Sequence, residues 1–194
     1  MRLTTLLPIL PILTTATALS LPQASTFIPL PACLNLRSIL EATDTTALTT
    51  TFTTDICTDP STGTKRSFPL TQSSYETTFR PFVQRLVTTE SAAMGAPHLS
   101  TSYMRLLDSL FNLARTQCGL AQFEDDVCVA TEAELEAVVN CVKWNGWQVA
   151  ISNVLSILPL LSLDACNRQV EYFARDEVVD VLLPQYAREF AGEL

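Results

Sequence analysis

One histidine, six cysteines, a run of three acids, one dibasic pair and two closely spaced tryptophans are this sequence's chemically versatile side chains. His98, in Ala96-Pro97-His98-Leu99, has Ser91, Ser100 and Ser102 nearby in sequence and is the candidate general base. A single histidine excludes the HExxH zinc site and any site needing two histidine ligands. No G-x-S-x-G nucleophile elbow and no glycine-rich phosphate loop is present, so those catalytic classes fall away. The expectation for His98 is therefore an interhelix loop, and no catalytic residue is assigned. Glu124-Asp125-Asp126 lacks the alternating oxygen ligands and the glycine turn of a calcium loop. It reads as a polar interhelical loop before Cys128. No metal site and no cofactor is expected.

Trp144 and Trp147 flank Asn145-Gly146 and are the first place to look for an apolar ligand between helices. Most other aromatic residues recur at helical spacing and read as core. Nine aspartates and eleven glutamates offer many carboxylate pairs of the kind that hydrolyse glycosides, but their surroundings single none out.

Cys33, Cys57, Cys118, Cys128, Cys141 and Cys166 form no C-x-x-C, which weakens zinc and thioredoxin readings. Their even number suits a disulfide framework in an oxidising compartment. Spacing leaves the connectivity open; pairing of neighbours, including Cys118–Cys128, is the expectation because it joins adjacent elements. Lys65-Arg66 is a dibasic pair of the kind that kexin-like proteases cut, and is the one processing candidate. Two cysteines precede it and four follow, a parity that permits an upstream segment with its own bridge. An uncut chain is the default.

The compartment follows from the first twenty residues. Arg2, the apolar stretch Leu6, Leu7, Ile9, Leu10, Ile12 and Leu13, and small residues Ala18 and Ser20 read as a secretory signal peptide over 1–20. The apolar stretch is shorter than the ~20 residues of a membrane span. No later stretch reads as a span. A secreted, extracellular protein is expected.

The elements that must position these residues are helical. Residues 21–72 form a proline- and threonine-rich segment with one or two short helices. One covers Ala32 to Ala42; the other carries Leu48, Phe52 and Ile56 on one face and ends near Cys57. Thr58 to Gln72 is a loop. Residues 73–194 form a helical domain. Ser73-x-x-Glu76 and Thr131-x-x-Glu134 are capping boxes, Ser100 to Cys118 is a helix stopped by Gly119, and Pro81 kinks or starts a helix. Asn145-Gly146 is expected to end the helix begun at Thr131, and Trp147 to Leu161 to form a central buried helix. A final amphipathic stretch from Asp164 to Phe190 carries the i,i+4 pairs Asp164/Arg168 and Glu171/Arg175 and is interrupted by Pro184. The fold class is all-α: a disulfide-stapled helical bundle of about five to seven helices.

Charge narrows the partners. Residues 21–123 carry seven acids and seven bases, whereas residues 124–194 carry thirteen acids and four bases. That surface repels phosphate, so nucleic acid and anionic lipid are disfavoured. What remains is a secreted non-catalytic binding or interaction protein, effector-like or apolar-ligand-binding. Its partner is an unknown protein or an apolar small molecule. The alternative is a small secreted hydrolase or cyclase using carboxylates, with His98 as a further candidate.

Overall fold

The computed structural model describes residues 35, 38, 41–42, 46–59, 61–152, 158–175 and 177–194. The expected leader, Cys33 and most of the expected helix Ala32–Ala42 lie outside these residues; Asn35, Ser38, Glu41 and Ala42 are helical. Beyond these, six helices follow from Thr46 onward, and the described residues contain no strand. Helix α1, Thr46–Thr51, runs on as a π turn, Phe52–Ile56, and ends at Cys57 as expected. Helix α2 comprises Gln72–Ser74, the π turn Tyr75–Phe79 and Arg80–Ala93. The 3₁₀ turn Pro97–Leu99 leads into α3, Ser100–Thr116. Helix α4 is Glu132–Ser152, α5 is Leu163–Phe173, and α6 joins the π turn Val178–Leu182 to Leu183–Glu193.

Two of the three π turns immediately precede Arg80-Pro81 and Leu183-Pro184. Proline has no amide hydrogen, and its ring clashes with the carbonyl four residues back. A wider turn just ahead of each proline moves that carbonyl away and lets the helix continue. Pro184 therefore does not interrupt the C-terminal stretch; the break falls between Phe173 and Val178. In α1 the cause differs. The Thr53 and Thr54 hydroxyls donate to the Thr50 carbonyl at 3.0 and 2.9 Å, back-bonding of the kind that bends helices.

The capping box at α4 forms as expected: the Glu134 carboxylate accepts from the Thr131 amide at 2.7 Å, and Thr131 Oγ1 accepts from the Glu134 amide at 3.3 Å. At α2 the expected cap moves. Thr71 rather than Ser73 is the N-cap, accepting from the Ser74 amide at 3.2 Å. After α3 the chain turns at Gly119, whose φ of +84° is in the left-handed region.

The largest correction concerns Asn145-Gly146, which α4 runs through unbroken. The Asn145 side chain donates to the Cys141 carbonyl at 2.8 Å, binding back to its own helix instead of forming a turn. Gly146 lies against α3, where a Cβ would stand 3.0 Å from Leu110 Cδ2. The helix expected to begin at Trp147 and run to Leu161 therefore does not start there, and residues 153–157 of that stretch lie outside the described residues. Trp147 to Ser152 are the last turns of α4, Leu158–Leu161 is a 3₁₀ turn, and Leu158 is exposed. Length and hydrophobicity made that stretch look central, yet α4 buries only one face there.

The core is built around Phe190. Its ring makes edge contacts with Phe68 and Phe79 at 5.3 and 5.4 Å and a tilted contact with Phe82 at 5.0 Å. This ties α6 to α2 and to the loop before it. A second cluster, Ala114, Leu120, Val127, Ala130, Leu135 and Val138, seals α3 against α4.

Disulfides link these parts, but not between neighbours. Cys57 pairs with Cys128 and Cys118 with Cys141. The loop 68–70 explains the first: Phe68 accepts from the Val127 amide at 2.9 Å and the Leu70 amide donates to Glu124 at 2.7 Å. These bonds carry the Cys128 turn back onto the end of α1. Antiparallel packing of α3 on α4 explains the second. In the chain-entropy model the two bridges stabilise by about 4 and about 3 kcal/mol, respectively. Cys166, at 0% exposure, is also disulfide-bonded, and its partner lies outside the described residues, as Cys33 does. Because Cys57 is joined to Cys128, the cysteines upstream of Lys65-Arg66 are not bonded to one another, which removes the self-contained upstream segment.

Candidate functional site

Trp144 is 62% exposed, although it sits in the body of α4. Trp147, one turn further, is half-buried. A groove of about 430 Å³ opens on the same helix and is lined by Asp108, Asn112, Leu113 and Gln117 from α3 and its C-cap, and by Val149 and Ser152 from α4. Neither tryptophan lines it. The two sequence candidates thus share a helix with this groove without contributing to its lining.

Two carboxylates gather partners that the sequence did not indicate. Asp108 accepts Nε and Nη2 of Arg80 at 2.8 and 2.9 Å and the Tyr75 hydroxyl at 2.8 Å. The Arg80 hydrogen bonds, helped by Tyr75 and opposed by partial burial, hold the Asp108 carboxyl below the usual range. Burial, with Asp108 adding to it, pushes the Tyr75 phenol well above an ordinary tyrosine. Tyr75 also stacks on Phe111 with ring centroids 3.7 Å apart. The second carboxylate, Glu90 on α2, accepts the hydroxyls of Tyr172 on α5 and Tyr186 on α6. Burial first, then Glu90, raises both phenols. Both oxygens of each carboxylate are engaged by internal donors, which lock α2 to α3, α5 and α6.

His98 is exposed in the turn Pro97–Leu99. Asp164, whose carboxylate feels the charge of His98, is bonded to Arg168 at 2.9 Å. The companion pair Glu171/Arg175 is replaced by another contact: Arg175 lies over the Tyr172 ring at 5.7 Å. In the acidic run, Glu124 pairs with Arg115 at 2.7 Å. Asp126 accepts from the Phe68 and Cys128 amides at 3.1 and 3.0 Å. Burial opposes ionisation of Asp126, but these amides and Ser67 outweigh it and lower its pKa. Two of the three acids therefore hold the loop, and among the described residues no group of three His, Cys, Asp or Glu converges to hold a metal ion.

Lys65 is exposed, whereas Arg66 is anchored, donating to the Ala191 carbonyl at 2.6 Å and pairing with Asp59 at 3.3 Å. Asp59 in turn is held down to about 2 by the Ser61 hydroxyl and amide, with Arg66 contributing. Among the cysteines, Cys57 and Cys128 are buried, while Cys118 and Cys141 are half-buried. The Asn145 amide that bonds the Cys141 carbonyl also lies 3.6 Å from Cys141 Sγ.

No helix of the described residues is long and apolar enough to cross a membrane. No family model, curated protein or solved structure matches this chain.

Proposed function

We propose that this chain is an exported, non-catalytic binding protein whose partner is an apolar small molecule or another protein. Trp144 carries the reading. A tryptophan left mostly in water on a surface helix gains about 25 cal/mol for every Å² of apolar area that a partner covers, and tryptophan is prominent among binding hot spots. Half-buried Trp147 beside it offers a rigid edge to such a partner.

Three further features agree. The disulfides suit an oxidising compartment and the apolar N-terminal stretch suits export. The acidic C-terminal half turns away nucleic acid and anionic lipid. Against the hydrolase alternative, Asp108, Glu90 and Asp126 already accept several internal donors each, and His98 stands exposed on a turn.

Native mass spectrometry of gently purified, secreted protein tests the proposal. A co-purifying apolar ligand or protein partner, lost when Trp144 is changed to alanine, supports it. Repeated preparations carrying neither, or a partner retained undiminished by Trp144→Ala, overturn it.

A further inference from the structure

The half-buried bridge between the α3–α4 loop and α4 has an arrangement that the buried bridge lacks. Asn145 lies one turn after Cys141 on α4, and its side-chain nitrogen donates to the Cys141 carbonyl at 2.8 Å while standing 3.6 Å from Cys141 Sγ. No such donor faces Cys118 Sγ among the described residues. Thiol–disulfide exchange depends on access to one sulfur and on how readily the other leaves as a thiolate. An amide N–H beside a sulfur stabilises negative charge developing there. Access and leaving-group stabilisation therefore both select this bridge, and they select a direction across it. Cys57 and Cys128, by contrast, are buried at 5% and 9% exposure among Phe68, Phe82 and Phe190.

We infer that Cys118–Cys141 is a thiol-exchange site, at which an external low-molecular-weight thiol forms a mixed disulfide with Cys118. The external thiolate attacks Cys118 Sγ. The Cys118–Cys141 bond breaks, its electron pair leaves on Cys141 Sγ, and the Asn145 amide supports that thiolate until it takes a proton from water. A second external thiolate then attacks the external sulfur of the adduct, releasing the Cys118 thiolate. In sum, two external thiols become one external disulfide and one protein disulfide becomes two thiols. The Cys57–Cys128 bridge, the Phe190 core around it and the packing of Leu120, Val127 and Ala130 against Leu135 and Val138 stay in place, so exchange removes the covalent tie between Cys118 and α4 without opening the rest of the fold. The inference rests on neither export nor the proposed partner.

Brief exposure of the folded, fully oxidised protein to limiting glutathione, acid quenching, alkylation and peptide mass spectrometry test it. The glutathione adduct is expected on Cys118 and the alkyl group on Cys141, with both labelled at least about tenfold faster than Cys57 and Cys128. An adduct mainly on Cys141, or labelling of Cys57 and Cys128 at the same rate, overturns the inference. In Asn145→Leu the exchange rate is expected to drop roughly fivefold and the preference for Cys118 to shrink, as loss of one hydrogen bond would cause. An undiminished preference in that variant, with Cys57–Cys128 still protected, overturns the part assigned to Asn145. If the variant fails to fold, the adduct position in the unaltered protein still decides.

Discussion

Arg66 donates to the carbonyl oxygen of Ala191 at 2.6 Å, joining a loop residue to the last turn of α6 across 125 positions of sequence. The final carbonyls of a helix have no partner within it, and a cation there also complements the helix dipole. The dibasic pair is thus half latch: Lys65 faces water while Arg66 is held by Ala191, by Asp59 and through its amide by the Cys57 carbonyl at 2.9 Å. A protease must pull this segment into an extended form before cutting after Arg66. The folded protein is expected to resist trypsin at this bond, and Arg66→Ala is expected to lower stability by about 1 kcal/mol. Any molecule that is cut should stay one covalent species until reduced, because Cys57–Cys128 spans the cut. Electrophoresis with and without reductant checks the cleavage and the covalent link, and urea denaturation of Arg66→Ala checks the stability loss.

Gly146 offers a test of the α3–α4 contact. Its missing Cβ would stand 3.0 Å from Leu110 Cδ2, the end of a flexible side chain. Gly146→Ala should be close to neutral, since about 1 kcal/mol of helix propensity offsets a small shift of Leu110. Gly146→Leu retains that propensity but overpacks the contact, and should destabilise by about 1–3 kcal/mol. Urea denaturation midpoints of the pair separate the two effects.

The same glycine shows where sequence pattern misleads. Asn-Gly signals a turn when local preferences decide, but here the antiparallel α3 requires close approach and Asn145 has a carbonyl to bind within its own helix. Patterns whose cause is local were legible to within a residue or two: the Thr131/Glu134 cap, the end of α3, at Thr116 rather than Cys118, ahead of Gly119, and the loop that begins at Thr58 and gives way to α2 at Gln72. The Asp108 and Glu90 clusters were not. Their partners lie 28 to 96 residues away, and nothing in local spacing distinguishes Tyr172 from any other inward-facing aromatic. Disulfide pairing failed for the same reason, since the backbone bonds around Phe68 and Leu70 decide which cysteine meets Cys57.

Tyr172 and Tyr186 share Glu90, so their contributions should not add. Tyr172→Phe and Tyr186→Phe are each expected to cost about 1 kcal/mol. The double variant should differ from the sum by 0.5 kcal/mol or more, roughly the coupling seen within one hydrogen-bond network. A double-mutant cycle in urea gives the coupling directly.

Acid should weaken the fold through Asp108. Its carboxyl titrates below the ordinary range in the folded chain because Arg80 binds it, so it contributes stability above the unfolded value of about 3.9. That contribution disappears as pH falls through the lower folded value. Stability should be nearly constant from about pH 7 to about pH 5, then decline below about pH 4. Asp108→Asn should be less stable at neutral pH and show a shallower acid decline. An identical acid decline in the variant would remove Asp108 from the explanation. Thermal melts across this range provide the measurement.

The most direct test of an exported, cross-linked binding protein is the intact mass of material collected from the culture medium of cells making the full chain. The expected mass lacks residues 1–20 and is lighter by one hydrogen for each of the six cysteines, with no thiol reacting before reduction. A protein that stays inside the cell, keeps residues 1–20 and yields six free thiols would contradict the account.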